Sequence, residues 1–208
     1  MNWGPMSWGA LRLLPAILFL LYGVVASVII KEAAACDVTF ADETAFKTNW
    51  EVGPNLAWAK PDEMGQRLFL AKCRDCVPNL SLSVRVTDLS KGADPLSRMM
   101  QARPLDQILD DPKAREELLL AYQWDQGAMD GCPFGYFSGR RKIDGVTFAV
   151  LSSQGTCWPT GSFQTVEYLG TKNGCGYRVR FTWPHYDPLP KESFERARQL
   201  LQSIRISP

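Results

Sequence analysis

The chain has 208 residues, with 23 basic and 22 acidic side chains, one histidine and six cysteines. Its formal charge of +1 removes the electrostatic motive for binding nucleic acid or an anionic membrane surface, which a basic excess would supply. The length suits one ordinary domain beside a targeting segment, and no repeat, low-complexity tract or interdomain linker interrupts it.

Leu13 to Ile30 is an uncharged run of eighteen residues, preceded by Arg12 and followed by Lys31-Glu32-Ala33-Ala34-Ala35-Cys36. A basic flank, an apolar stretch and small residues are the layout of an export signal, with Ala33 and Ala35 where a signal peptidase reads them. The run exceeds the usual signal core of about 7–15 residues and reaches the short end of a bilayer span, about 17–25. An uncleaved anchor therefore stays open. So does a lipoprotein acylated at Cys36, although Ala33 stands where Leu is preferred. In each case Arg12 and the amino terminus hold the front end inside, so the bulk of the chain is translocated. The expected organisation is a signal peptide or N-terminal membrane anchor over 1–35 and a single exported domain over 36–208, periplasmic, extracellular or anchored outside the cytoplasm. Removing 1–35 takes away Arg12, Lys31 and Glu32, which leaves 21 basic and 21 acidic side chains. Six cysteines in an exported chain point to disulfides.

Asp37 to Asn49 reads as a lead-in segment of small and polar residues, after which Trp50-Glu51-Val52 and Arg67 to Ala71 are strand-like. Leu80, Leu82, Val84 and Val86 alternate with Ser81, Ser83, Arg85 and Thr87, which predicts a strand with one buried face. Asn79-Leu80-Ser81 is also a glycosylation sequon. Pro95 to Gln101 can form a short helix. Asp111-Pro112 supplies an N-cap and a first-turn proline for a helix over Ala114 to Trp124. Asp144-Gly145 and Asn173-Gly174 then predict two hairpins, because both central residues of a two-residue turn need positive φ. Around Asn173-Gly174, Val166 faces Phe181 and Tyr168 faces Val179, so apolar residues share a face. Around Asp144-Gly145, Ile143 faces Val146 and Arg141 faces Phe148. Pro190 to Ile204 closes the chain as a helix whose apolar stripe is Phe194, Ala197, Leu200, Leu201 and Ile204. Leu82, Val84, Val166, Phe181, Leu200 and Ile204 are expected to share one core. The fold class is α+β: an antiparallel sheet of about six to seven strands with helices packed on it.

This order of elements resembles the PsbP/Mog1-like fold family, which includes many small exported bacterial proteins. Ser81-Leu82-Ser83-Val84-Arg85-Val86-Thr87-Asp88-Leu89 is similar to the strand before that family's helical insert. Lys142-Ile143-Asp144-Gly145-Val146 looks like its hairpin, Gly176 to Phe181 like its penultimate strand, and Phe194 to Ile204, with Ser203-Ile204-Arg205, like its closing helix. The resemblance spans most of Trp50 to Ile206; Cys73-Arg74-Asp75-Cys76 and the loop Gly155 to Gly161 depart from it. It implies an assembly factor, accessory subunit or binding module, and it carries over no catalytic residues.

Cys73-Arg74-Asp75-Cys76 has the spacing of a redox dithiol, but Val77-Pro78-Asn79 ends any helix at once, and a zinc site would require two more ligands from isolated cysteines. A structural disulfide is the favoured reading. The turn at Asp144-Gly145 places Cys132 opposite Cys157, in the pair class whose Cα atoms lie about 4.5 Å apart, within disulfide range. Cys157–Cys175 is the fallback. His185 lies in Trp183-Pro184-His185-Tyr186-Asp187-Pro188, with no Gly-x-Ser-x-Gly nucleophile motif to serve. A surface-loop role is favoured for it. The basic run Arg140-Arg141-Lys142 alternates faces along a strand and forms no patch. Trp158, Trp183 and Tyr186 are either core or loop aromatics that anchor a partner. No catalytic, cofactor-binding or metal-ligating set emerges. The reading is a non-enzymatic binding or accessory domain of the cell envelope, with an envelope protein or small ligand as partner, no nucleic acid, and membrane contact only through the N-terminal segment. The alternative is a small thiol-redox enzyme or hydrolase using Cys73/Cys76 or His185.

Overall fold

The structure is a computed structural model that describes residues 36–52, 66–125, 135–157, 161–184 and 189–207. Cys36–Pro208 forms one compact unit. The element order is β1 (Asp37–Phe40), α1 (Glu43–Asn49), β2 (Trp50–Val52), β3 (Gln66–Cys73), β4 (Ser81–Asp88), α2 (Pro95–Ala102), α3 (Leu105–Asp110), α4 (Pro112–Asp125), β5 (Gly135–Ile143), β6 (Val146–Cys157), β7 (Gly161–Lys172), β8 (Cys175–Pro184), α5 (Lys191–Ser203) and β9 (Ile204–Ser207). The α+β class holds: a seven-stranded antiparallel sheet runs β2-β3-β4-β8-β7-β6-β5, and β1 and β9 pair as a separate two-stranded ribbon. No helix among the described residues is long and apolar enough to cross a membrane; the run 13–30 lies outside those residues.

Both hairpins form at the dipeptides that specify them. Asp144 and Gly145 adopt φ of 48° and 76°, and Asn173 and Gly174 adopt 50° and 80°, the left-handed pair that matches the twist of the strands. Val166 pairs with Phe181 and Tyr168 with Val179; Ile143 pairs with Val146 and Arg141 with Phe148. Asp111 caps α4 through Oδ1, which accepts from the amides of Ala114 and Lys113. The bond from Ala114 leads the causes that hold the Asp111 carboxyl below its usual pKa. Gly170 faces the Phe148 ring across the β6–β7 pair, where a Cβ would lie 2.6 Å from the ring.

The expected core is present. Leu82, Val84, Phe181, Leu200 and Ile204 are buried in one cluster, with Val166 half-buried against it. The alternation in β4 buries Leu82, Val84 and Val86. The sheet, however, is covered on both faces. The ribbon, α1 and α5 cover one, and α2 to α4 cover the other, packed on Ala149, Leu151 and Leu169. Central strand β8 is consequently buried along most of its length.

Four expectations are corrected. The lead-in over Asp37 to Asn49 is a strand followed by a helix: Val38 is buried, and Asp42 caps α1 by accepting from the Ala45 amide at 2.8 Å. The closing helix stops at Ser203, because Ile204 turns extended (ψ 133°) to start β9. Phe194 is 53% exposed, since the inward stripe of α5 starts at Ser193 and continues through Ala197, Leu200 and Leu201. In the β5–β6 pair the register slips by one between Phe137 and Gly139, so Gly135 faces Ser153. A bulge of this kind inserts one unpaired residue. The register that placed Cys132 opposite Cys157 therefore does not extend past Gly139.

Candidate functional sites

Two disulfides are formed. Cys73–Cys76 closes locally, and Cys36 bonds Cys175 across 139 residues of sequence. The fallback Cys157–Cys175 is thereby excluded, because Cys175 is taken. Cys36 in a disulfide also has no sulfur left for a lipid. By loop-closure entropy the long bridge contributes about 5 kcal/mol and the short one about 2. Disulfides place the domain in an oxidising compartment outside the cytoplasm. Cys132 lies outside the described residues, and only the backbone of Cys157 is described, at the end of β6 opposite Gly161.

Of the loop aromatics, Trp158 and Tyr186 lie outside the described residues, as does His185. Trp183 is 9% exposed and belongs to the main core, so it packs the domain and is not displayed to a partner. Asn79 of the sequon is exposed. Arg141 faces the main core side opposite Phe148 and bonds Tyr168, whose hydroxyl is raised above its usual pKa mainly by burial. Arg140 points the other way, donating to the Leu109 carbonyl and Asp110 at 2.7 Å each. The basic run thus splits between faces. Among the described residues no cluster of His, Cys, Asp and Glu could hold a metal.

The structure assembles a polar cluster that the sequence reading missed. Glu167 on β7 is 1% exposed. Its Oε1 accepts from Arg178 Nε at 2.6 Å, and its Oε2 accepts from Arg180 Nε at 2.7 Å and the Tyr122 hydroxyl at 2.7 Å. The Arg178 guanidinium also lies 5.7 Å from the Tyr122 ring centre. Burial by itself would raise the Glu167 pKa. The two guanidiniums and the hydrogen bonds outweigh it, and the net direction is down. Tyr122 goes up, first from burial and then from the neighbouring carboxylate. Every oxygen of Glu167 is engaged by groups of the protein, so the cluster ties α4 to the sheet and offers no free base for catalysis. A signal was available: the register that pairs Val166 with Phe181 also pairs Glu167 with Arg180.

Described residues line several hollows, of which three bear on the site. One beside Asp94, Ser97 and Arg178 measures about 10 Å³, the size of a single water. A second, about 70 Å³, lies between α1 and α5. The third is an open groove of about 530 Å³ beside β1, α1, β2 and β3, within the usual range for small-molecule sites. Its floor is aromatic. Phe40 stacks on Phe46 with ring centres 4.3 Å apart, Phe69 tilts against both, and Trp50 leans on Phe181. Val38, Phe46, Trp50 and Phe69 are buried, which leaves Phe40 and Val52 as the more accessible apolar wall. Glu43, Lys47 and Arg74 form an exposed rim, with Lys47 paired to Glu43 at 3.1 Å.

No protein-family model matches the chain. No curated protein matches it either. Distantly similar solved structures include one from Bacteroides thetaiotaomicron, at 9% identity and a TM-score of 0.40, covering 76% of this chain. The chain spans 42% of that protein's length. Another is a Pseudomonas aeruginosa protein of unknown function, at 15% identity and a TM-score of 0.39, covering 69% of this chain and 83% of its own.

Proposed function

We propose that residues 36–208 form an exported, non-enzymatic binding domain of the cell envelope. Its groove beside α1 takes an anionic amphiphile, a flat apolar body with a negatively charged head. The observation that carries this reading is the groove itself: an aromatic floor and a rim of two cations to one carboxylate. An apolar body buries surface on Phe40 and Val52, while Arg74 and Lys47 meet the head group. The exposed Lys47–Glu43 pair is worth little by itself, so Lys47 reorients at small cost. The run Leu13 to Ile30 supports export, as signal or anchor, and the PsbP/Mog1-like order of elements supports a binding or accessory role.

Anilinonaphthalene sulfonate has the chemistry this groove selects, and it should bind the folded protein saturably. Arg74→Glu should weaken that binding about tenfold, the equivalent of about 1.4 kcal/mol, and Val52→Trp should abolish it with near-UV circular dichroism unchanged. Equal binding by all three proteins sinks the groove reading. A reporter fused after residue 40 should be active only outside the cytoplasm; cytoplasmic activity overturns the export reading.

A further inference from the structure

We infer that Cys73–Cys76 is a reversible redox disulfide whose reduced form is stabilised by Arg196, and that its co-reactant is an exported dithiol protein. Cys73 ends β3 and Cys76 lies in the β3–β4 loop, and α5 presents a cation to the first of them. Arg196 Nη1 lies 4.0 Å from Cys73 Sγ and donates to the Arg74 carbonyl at 2.5 Å. A guanidinium at that range favours a thiolate over a thiol. Cys73 and Cys76 are themselves buried, at 8% and 6% exposure, but Cys76 sits between the exposed residues Asp75 and Val77, the latter 76% exposed, so the exchange requires this exposed turn to lift Cys76 toward the partner.

The exchange balances with that partner. Its thiolate attacks Cys76 Sγ, forming an intermolecular disulfide, and the Cys73–Cys76 bond breaks with its electron pair left on Cys73 beside Arg196. The partner's second thiolate then attacks its own sulfur in the mixed disulfide, releasing Cys76 as a thiolate that takes up a proton. The partner leaves oxidised and this chain leaves reduced.

The loop does not depend on the bridge for its shape. The Cys73 amide donates to the Leu80 carbonyl and the Arg74 amide to the Asn49 carbonyl, each at 2.8 Å. Those bonds persist when the sulfurs separate, so the fold survives reduction and the cycle can run in both directions. Cys36–Cys175 spans a far longer loop, and its opening releases much more chain. The two bridges therefore have separable roles.

The test uses the full chain equilibrated in dithiothreitol redox buffers, with differential alkylation and mass mapping. Cys73 and Cys76 should reduce and reoxidise reversibly while Cys36 and Cys175 stay joined and circular dichroism stays native. In the reduced protein, the pH profile of Cys73 alkylation should move up by roughly one unit in Arg196→Leu and return in Arg196→Lys. Reduction of both bridges together, only on unfolding, overturns the proposal. An unmoved alkylation profile in Arg196→Leu removes Arg196 from it and leaves the proposal refuted as stated.

Discussion

The two faces of the seven-stranded sheet solve the same burial problem with different chemistry. The face under the ribbon, α1 and α5 is filled by hydrocarbon and aromatic rings, among them Phe181, Tyr177, Val84 and Trp50. The face under α2 to α4 is apolar at β6 and at Leu169 of β7, but beside them it buries the Glu167 carboxylate against the guanidinium of Arg178, the partly exposed guanidinium of Arg180 and the Tyr122 phenol. Apolar packing is tolerant of partner and intolerant of lost volume. The ionic cluster is the reverse: each member is costly to bury alone and stable only with the others.

The largest expected effect concerns the bridge that pins the residue before β1 to the apolar face. Replacing Cys36 and Cys175 with Ser should lower unfolding free energy by about 5 kcal/mol in urea titrations, against about 2 kcal/mol for Cys73 and Cys76. Equal losses would mean that loop closure does not govern these bridges. A non-reduced digest should show both bonds. Since four of the six cysteines are joined, it should also show Cys132 linked to Cys157; Cys132 bound to any other residue refutes that pairing.

Next come paired truncations, one on each face. Phe181→Ala should cost about 3–5 kcal/mol through the cavity it opens, and a loss under about 1 kcal/mol would contradict its assigned burial. Glu167→Leu should cost a similar amount, about 3–5 kcal/mol, by leaving Arg178 and Arg180 uncompensated. The difference lies in rescue. Adding Arg178→Met and Arg180→Met to Glu167→Leu should restore most of the loss, and failure to do so would erase the contrast between the faces.

The smallest effect is the response to acid. Glu167 has a folded pKa below its unfolded value, so its contribution is fully present above the unfolded carboxylate pKa of about 4.3. It is lost as the pH falls through the folded value. Urea midpoints measured between pH 7 and pH 3 should fall more steeply for the parent protein than for Glu167→Gln. Parallel curves would show that Glu167 is not ionised in the fold.

The amino-acid sequence alone determined what depends on neighbours along the chain. Asp144-Gly145 and Asn173-Gly174 set two turns, and the alternation beyond them set which residues face each other, because a two-residue turn leaves little freedom of register. The α+β class and the common core of Leu82, Phe181 and Leu200 followed from period two in strands and the helical stripe in α5. The groove and the Glu167 cluster were not legible in this way. Their members come from β1, α1, β2 and β3 in one case and from α4, β7 and β8 in the other, and no periodicity relates them. Only the tertiary structure decided that the sheet is covered on both faces, that Ile204 leaves the helix to pair with Phe40, and that Cys36 meets Cys175. The physical reason is common to all three. A contact between residues far apart in sequence is fixed by the spatial order of strands and the layers packed on them, and hydrophobic pattern specifies a buried face without naming what covers it.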